Sequence, residues 1–365
     1  EEYSCLYYAM EMFRMEKELD KSIKGIGALG LIESYIKEYY LLDTFYRKFY
    51  YSYDKLEVQE SFIILAEKVE NTYTNWYMNE LSIKWSDAIE ELKGNWLIPG
   101  LVQQQDYYKN YIQPHIEDDE RVFVIISDAL RYEAAKEFSN TLNTERKGST
   151  EIYYMQGSVP SYTKLGMASL LPHKSIEITD KGDILVDSIN TQGTENRESV
   201  LLNYCSDSVA VSYNDIKDMK RPEYKETFEG KKLIYIYHNS IDARGDNAAT
   251  EREVFDAVEK AFEDLRILIK NLINNLSATN IYITADHGFI YRRTPLAESD
   301  KTPREMIDSI EAKRRFILTD SDKEIEGTLT FSMNYLVGKD TNLKVIVPRG
   351  TNCFKVQGMG SNYVH

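Results

Sequence analysis

Cysteine is scarce in this chain, and the spacing of the few that occur excludes two common kinds of site. Among 365 residues there are three cysteines, Cys5, Cys205 and Cys353, and no two of them form a C-x-x-C pattern. An odd number of widely separated cysteines argues against a disulfide framework and against a thiolate metal site. The pattern fits a reducing compartment, and the cytoplasm is the expected location.

Long apolar runs and an excess of basic residues are also missing. No stretch approaches the roughly 18 apolar residues of a transmembrane helix, and no leader pattern starts the chain, so no membrane partner is expected. The 44 basic and 59 acidic residues give a net charge of −15, which argues against a protein that coats nucleic acid through charge alone. A nucleic-acid substrate stays compatible, because bound metals can reverse the local field. The chain lacks an initiator Met and stops at His365, as an excised or incompletely covered piece would.

Proline is absent from residues 1–98, and apolar residues recur there at helical spacing, as in Trp85, Ala88 and Ile89. We therefore predict an α-helical domain over 1–118, with a helix break at the glycines of 21–30. The region is rich in tyrosine, which serves base stacking in some proteins. We favour packing at core edges with the hydroxyl in water.

From residue 119 the pattern changes to alternating strands and helices, which predicts an α/β domain over 119–365. Three β-branched or aromatic runs indicate strands that are buried on both faces and end on acidic or histidine residues. They are VFVIISD (122–128), LIYIYHNSIDARGD (233–246) and IYITADHG (281–288). In a largely parallel sheet flanked by helices, the carboxyl ends of these strands meet at the edge where such sheets bind ligands.

The best-defined unit is a β-α-β crossover over 233–285. Its helix is predicted to begin at a capping box formed by Thr250 and Glu253, and to end at 277–280. A second helix is expected over 129–142. Short strand-like runs beyond residue 313 suggest a β-rich segment that closes the domain: 314–318, 329–333, 344–348 and 354–358.

The predicted strand ends bring together Asp128, Asp242, Asp246, Asp286 and His287. Crowded carboxylates repel one another unless cations neutralise them, so the arrangement predicts a metal site. Each element also has a simpler interpretation. Asp128 could be the N-cap of the helix over 129–142, and the Asp242–Asp246 segment could be only a polar turn.

A nucleophile would have to lie at the same edge. Thr163 directly precedes an apolar run, and a helix that begins there would present its hydroxyl and backbone N–H groups to a phosphoryl group. Metal coordination is one way to deprotonate such a hydroxyl. The alternative is that Ser161 or Thr163 is an ordinary N-cap, and composition does not choose between the two.

Taken together, these segments resemble the PglZ domain of the alkaline phosphatase superfamily, which is known from bacterial phage-defence systems (phage growth limitation and BREX). The matching motifs are DALRYE (128–133), PSYT (160–163), YHNSIDARGD (237–246), TADHGF (284–289) and YVH (363–365). The resemblance implies an alkaline-phosphatase-like core that carries two divalent metals, with zinc favoured and manganese or magnesium as alternatives.

Carried over by motif, the resemblance assigns Asp128, Thr163, Asp286 and His287 to one metal, with Thr163 also the nucleophile. For the second metal it implies Asp242 and His365. Asp246 stands where the phosphodiesterase branch has a histidine, a departure that puts the identity of this metal in doubt. Three further residues are candidates for contacting substrate or supporting the ligands: Arg131, Arg244 and His238.

The leading interpretation is a metal-dependent phosphohydrolase, whether phosphodiesterase, nuclease or phosphatase, in a defence system. Its expected partners are a phosphate ester, including nucleic acid or nucleotide, and other subunits of that system. The alternative is a regulatory or scaffolding subunit with low activity. A metal-free nucleotide-binding domain is disfavoured, because no G-x-G-x-x-G or Walker-type loop is present.

Overall fold

A computed structural model describes residues 1–19, 22–145, 149–245, 253–294, 301–303, 307–338 and 341–355. Within these residues the chain is an α/β protein with a parallel sheet flanked by helices and preceded by a helical region, as predicted. None of the helices in these ranges has the length and apolar character needed to cross a bilayer.

The helical region consists of α-helices joined by tighter and wider helical turns. The α-helices are α1 (Glu2–Glu18), α2 (Gly27–Ser34), α3 (Tyr40–Tyr53), α4 (Ile63–Glu70), α5 (Asn79–Glu90) and α6 (Gln113–Glu117). The 3₁₀ turns are Gln59–Phe62 and Gln104–Asp106, and the π-helical turns are Tyr35–Tyr39, Asn71–Met78 and Tyr108–Ile112. The predicted break at 21–30 is confirmed, since α1 ends before it and α2 begins at Gly27.

Tyrosines of this region do more than line the edges of the core. Tyr39 is fully buried, and its hydroxyl donates to the Lys24 carbonyl at 3.1 Å. Tyr50 is buried as well, and its hydroxyl donates to Glu70 at 2.9 Å. The expectation that the hydroxyls lie in water is wrong for these two residues, whose polar ends are satisfied inside the protein.

The following segment alternates strands and helices. Its strands are β1 (Val122–Ser127), β2 (Ile176–Ile178), β3 (Ile184–Val186), β4 (Ile189–Asn190), β5 (Ser208–Ser212), β6 (Leu233–His238) and β7 (Asn280–Thr284). Its helices are α7 (Tyr132–Thr144), α8 (Thr163–Ser169), α9 (Thr194–Tyr204), α10 (Tyr213–Ile216), α11 (Arg221–Phe228), α12 (Asp242–Gly245) and α13 (Val254–Leu276).

The central sheet has the order β5-β6-β1-β7, and every neighbouring pair is parallel. Strands β1 and β6 are buried along their whole length, as the apolar runs predict. The prediction of burial on both faces is wrong for β7. Every residue of β7 is only half-buried, because β7 lies at the edge of the described sheet and has a single neighbour there.

The predicted β-α-β unit is confirmed as β6, α13 and β7. The apolar stripe of α13 is buried at Val254, Val258 and Leu265, and its last turn ends at Ser277, which has a left-handed φ of 54°. The predicted capping residue Thr250 lies outside the described residues. Because β6 and β7 both pair with β1, the crossover passes over one strand.

The helix after β1 begins later than predicted. It starts at Tyr132, with Arg131 as the N-cap in an extended conformation. Ala129 takes a left-handed φ of 62°, which an L-residue adopts at a cost of roughly 1–2 kcal/mol. The interpretation of Asp128 as the N-cap is therefore wrong, and its carboxylate is available to the strand end.

The predicted β-rich closing segment is present. It contains β8 (Lys301–Thr302), β9 (Glu311–Ala312), β10 (Ile317–Thr319), β11 (Thr328–Ser332), α14 (Asn334–Val337), β12 (Lys344–Pro348) and β13 (Cys353–Phe354). Strands β11-β12-β10-β9 form an antiparallel sheet. Of the run predicted over 354–358, the described part is a short strand that ends at Phe354.

Candidate metal centre

Three neighbouring strands end at the same level of the sheet and carry the candidate ligands beyond their ends. Ser127 of β1 is paired with His238 of β6, and Ile126 is paired with Thr284 of β7. Asp128, Asp242 and His287 follow these strand ends. The parallel register therefore brings residues that are distant in sequence to one edge.

One ligand atom from each of Asp128, Asp242 and His287 lies within 4.8 Å of the other two. The residues are 4%, 9% and 7% exposed, so little water screens their charges. His287 Nε2 lies 3.2 Å from Asp128 Oδ1 and 3.5 Å from Asp286 Oδ2. Two carboxylates and an imidazole in this arrangement form a donor set that suits a divalent metal.

Asp286 is buried beside the cluster of Asp128, Asp242 and His287. Its Oδ1 accepts a hydrogen bond from the backbone N–H of Ala129 at 3.2 Å, which links the loop after β7 to the loop after β1. Burial, opposed by His287 and reinforced by Asp128, raises the pKa of Asp286 to about 7. A cation at this site would favour the ionised form.

The ring of His287 is held in an orientation that suits ligation. Its Nδ1 lies 3.1 Å from the Gly288 carbonyl oxygen, which accepts a hydrogen bond only if Nδ1 carries the proton. Nε2 then has its lone pair directed toward Asp128 and Thr163. This second hydrogen bond, made by the nitrogen opposite the ligating one, is common in metal-binding histidines.

The hydroxyl of Thr163 reaches the same point. Thr163 Oγ1 lies 3.0 Å from His287 Nε2. Thr163 is the first residue of α8, and the N-cap is Tyr162 in an extended conformation. Neither Ser161 nor Thr163 is therefore the N-cap, and the simpler interpretation of this hydroxyl does not hold.

The donor set fits a metal by a second criterion. Among the described residues, Asp128 Oδ1 and Asp286 Oδ2 are buried and accept no hydrogen bond. A buried carboxylate oxygen without a donor costs on the order of several kcal/mol. A bound cation would supply the missing partner for both oxygens.

Below the ligand loops, His238 joins two strand ends. Its Nδ1 lies 2.9 Å from Ser127 Oγ and its Nε2 lies 2.9 Å from Ser240 Oγ. Ser240 in turn donates to Asp264 at 3.0 Å. Burial disfavours the ionised form of Asp264, but the neighbouring His238, Lys260 and Ser240 outweigh it and hold the pKa of that carboxyl well below its usual range. His238 thus lies beside the residues that precede Asp128 and Asp242, a position compatible with the supporting role predicted from the sequence.

Of the remaining residues singled out in the sequence, two arginines are described and two candidate ligands are not. The guanidinium of Arg131 forms an ion pair with Asp43 of α3 at 2.9 Å. Arg244 is half-buried in α12, two residues after Asp242. Asp246 and His365 fall outside the described residues, so their predicted ligand roles stay predictions.

Gln104 was not predicted from the sequence, and it hydrogen-bonds two loops of the site from the 3₁₀ turn Gln104–Asp106. Its side-chain amide donates to the Asp286 carbonyl at 2.6 Å, and its Oε1 accepts from the Ser158 backbone N–H at 3.0 Å. Gln104 is buried. It therefore connects the loop that carries the ligands to the loop that leads to Thr163. No local pattern marks a lone glutamine in a short turn as a supporting residue.

The fold and the cluster define an alkaline-phosphatase-like α/β protein with a candidate divalent-metal centre. The family model described as "BREX system PglZ alkaline phosphatase-like domain" matches residues 107–365. The chain belongs to this PglZ family.

Two curated relatives match the whole chain. The alkaline phosphatase-like protein PglZ of Bacillus cereus (strain H3081.97) is 50% identical over 365 residues. The alkaline phosphatase-like protein BrxZ of Escherichia coli O9:H4 (strain HS) is 35% identical over 379 residues. In both comparisons the alignment covers 100% of this chain and 43% of the relative, so the chain spans less than half the length of either relative.

Proposed function

We propose that this chain carries the phosphoric ester hydrolase site of a BREX defence protein, with Thr163 as the nucleophile. The observation that carries the proposal is the convergence of Asp128, Asp242 and His287 within 4.8 Å, next to a threonine hydroxyl, in a family named for its likeness to alkaline phosphatase. Substrates are proposed to be phosphodiesters, including nucleic acid or nucleotides, or phosphomonoesters. Partners are proposed to be other subunits of the BREX system.

Asp128, Thr163, Asp286 and His287 are proposed to hold one divalent metal, and Asp242, Asp246 and His365 are proposed to hold a second. Zinc is favoured, with manganese or magnesium as alternatives. When bound, the metal would neutralise the carboxylates, lower the pKa of the hydroxyl beside it and stabilise charge on the phosphoryl group.

The chain's own residues would then act as follows. The Thr163 hydroxyl would lose its proton to solvent and Oγ1 would attack phosphorus, while the ester oxygen leaves and takes up a proton to form the alcohol. Water would then hydrolyse the phosphothreonine, which releases the phosphate product and restores the hydroxyl. His287, fixed by the Gly288 carbonyl, keeps Nε2 directed at the centre and beside Oγ1. Asp286 keeps its carboxylate in place through the Ala129 N–H. Because Asp286 and His287 are buried, their electrostatic effect on the reacting phosphoryl group is stronger than it would be in water.

The test combines metal analysis with an activity screen. Purified protein is dialysed against zinc, manganese or magnesium, its metal content is measured, and aryl phosphodiesters and aryl phosphomonoesters are offered as substrates. The proposal predicts bound divalent metal and hydrolysis that stops with chelator. Metal binding without hydrolysis of either class would favour the low-activity regulatory subunit, and absence of binding would contradict the proposed site.

A further inference from the structure

Arg131 joins the two ligand-bearing loops to the helical region. It follows Asp128 in the loop after β1. Its guanidinium donates to the carbonyl of Phe289, which follows His287 in the loop after β7. The other end of the guanidinium forms the 2.9 Å ion pair with Asp43 of α3.

The Arg131 side chain is mostly buried and is packed against the loop that carries His287. The Arg131 side chain is 12% exposed, and its guanidinium carbon lies 4.1 Å from the centre of the Tyr291 ring. A Cβ atom at Gly288 would lie 3.7 Å from Arg131 Cγ, so the aliphatic part of the side chain packs directly against the loop that carries His287. The arginine therefore fixes the distance between the two loops through both its stem and its charged end.

Side chains of the helical region fix the orientation of the Asp43 carboxylate, which accepts the Arg131 ion pair. Its side chain is almost fully buried. Its Oδ2 accepts from Tyr35 at 2.6 Å and its Oδ1 accepts from Tyr73 at 2.5 Å. The two tyrosine hydroxyls leave the carboxylate little freedom to turn, so the position of the guanidinium is set by the helices.

We propose that Arg131 is a positioning residue: held by Asp43, it fixes the Asp128 and His287 loops relative to each other and so makes the metal affinity of the site depend on the helical region. This inference rests on the proposed function, since it concerns the same ligands. Arg131 acts through those ligands, and its guanidinium is engaged by Asp43 and Phe289.

The structure offers a matched control for this pair. Asp54, at the end of α3, forms a two-pronged ion pair with Arg293 at 2.6 and 2.8 Å. This pair also joins the helical region to the segment after β7, but it lies further from His287 along the chain. Asp54→Asn and Asp43→Asn thus remove the same charge from the same part of the helical region.

The experiment measures the dissociation constant of zinc and of manganese by calorimetry, on folded protein below its melting temperature. We expect Asp43→Asn to weaken binding at least tenfold and Asp54→Asn to change it less than twofold. Arg131→Lys keeps the charge beside Asp43 but cannot bridge to the Phe289 carbonyl with a planar fork, so it should also weaken binding about tenfold. This variant provides the measurement if Asp43→Asn does not fold.

The outcomes separate this inference from the proposed function. Wild type that binds no divalent metal overturns both. Wild type that binds metal, with folded Asp43→Asn or Arg131→Lys binding it equally well, overturns the positioning role and leaves the proposed function intact. Equal weakening by Asp54→Asn would also overturn it, because any loss of charge between the two regions would then have the same effect.

Discussion

Gly166 of α8 lies so close to Asp286 that a Cβ atom at this position would be 2.2 Å from the Asp286 carbonyl oxygen. The close approach brings the helix that begins with Thr163 against the loop that carries Asp286 and His287. The backbone of α8 at Gly166 is therefore packed directly against the backbone at Asp286. A side chain larger than that of glycine does not fit between them at position 166.

Gly166→Ala tests this contact. Within a helix, glycine to alanine normally stabilises a protein by about 1 kcal/mol. Here we expect the opposite sign, a loss of about 1–3 kcal/mol from overpacking, together with weaker metal binding. Urea denaturation of the two proteins measures the first effect and calorimetry the second.

Gly157→Ala is the matched control for that substitution. Gly157 lies in the segment that leads to α8, and nothing lies within 4 Å of a Cβ atom placed there. Its variant should unfold like wild type. If Gly166→Ala also unfolded like wild type and bound metal normally, the close packing of α8 on Asp286 would be contradicted.

Asp286→Asn should change stability in a pH-dependent direction in metal-free protein. The pKa of Asp286 is raised from 3.8 to about 7, so its folded state binds the proton more tightly than its unfolded state. The stabilising contribution of that proton is complete below the unfolded pKa and is lost as pH rises through about 7. The amide variant does not titrate there, so its advantage over wild type should grow from about pH 5 to about pH 8.

The measurement is a melting curve at both pH values, with chelator and then with divalent metal. With chelator at the higher pH, Asp286→Asn should melt a few degrees above wild type. With metal, wild type should gain more stability than the amide variant, because each gains in proportion to RT ln(1 + [L]/Kd) and the variant lacks one carboxylate. An amide variant that melts below wild type in chelator at the higher pH would show that the buried carboxylate is not a source of repulsion.

Arg47 forms the charged centre of a second contact between the helical region and the α/β part. Its side chain is fully buried and lies 3.2 Å from Glu133, which is also fully buried, and 2.9 Å from Glu259. Arg47→Ala would leave Glu133 buried without its cation, and we expect a loss of about 3–5 kcal/mol in urea denaturation.

Arg14→Ala serves as the control for Arg47, because Arg14 pairs with Glu11 and Glu18 on the exposed face of α1. Solvent screens such pairs, and no clear change in stability is expected. Equal effects of the two substitutions would mean that the buried pair does not hold the two parts together.

The elements that were predicted correctly are those whose signal is local. The buried runs of β1 and β6 and the apolar stripe of α13 depend on residues that are close in sequence, so periodicity was sufficient. The grouping of the strand ends then followed from the rule that parallel strands deliver ligands to one edge. This is why the sequence alone could group Asp128, Asp242 and His287.

The features that the sequence did not predict depend on contacts between distant residues. Ala129 has a left-handed φ, so α7 begins three residues after it. The N–H of Ala129 donates a hydrogen bond to Asp286, which follows a different strand. The burial of β7 depends on whether a further strand covers it. The partner of Arg131 is a carboxylate on a helix of the preceding region. The spacing of residues within one segment does not predict which distant residues will contact each other.

The most direct test of the central claim is the turnover of an aryl phosphate ester by metal-loaded wild type, Thr163→Ala and Thr163→Ser. Thr163 is the first helical residue and not the N-cap, so Thr163→Ala should fold with little change. It is compared with wild type at a metal concentration that saturates the remaining ligands. We predict that it loses several orders of magnitude in turnover and that Thr163→Ser retains part of the activity. Near-normal hydrolysis by folded, metal-loaded Thr163→Ala would contradict the account.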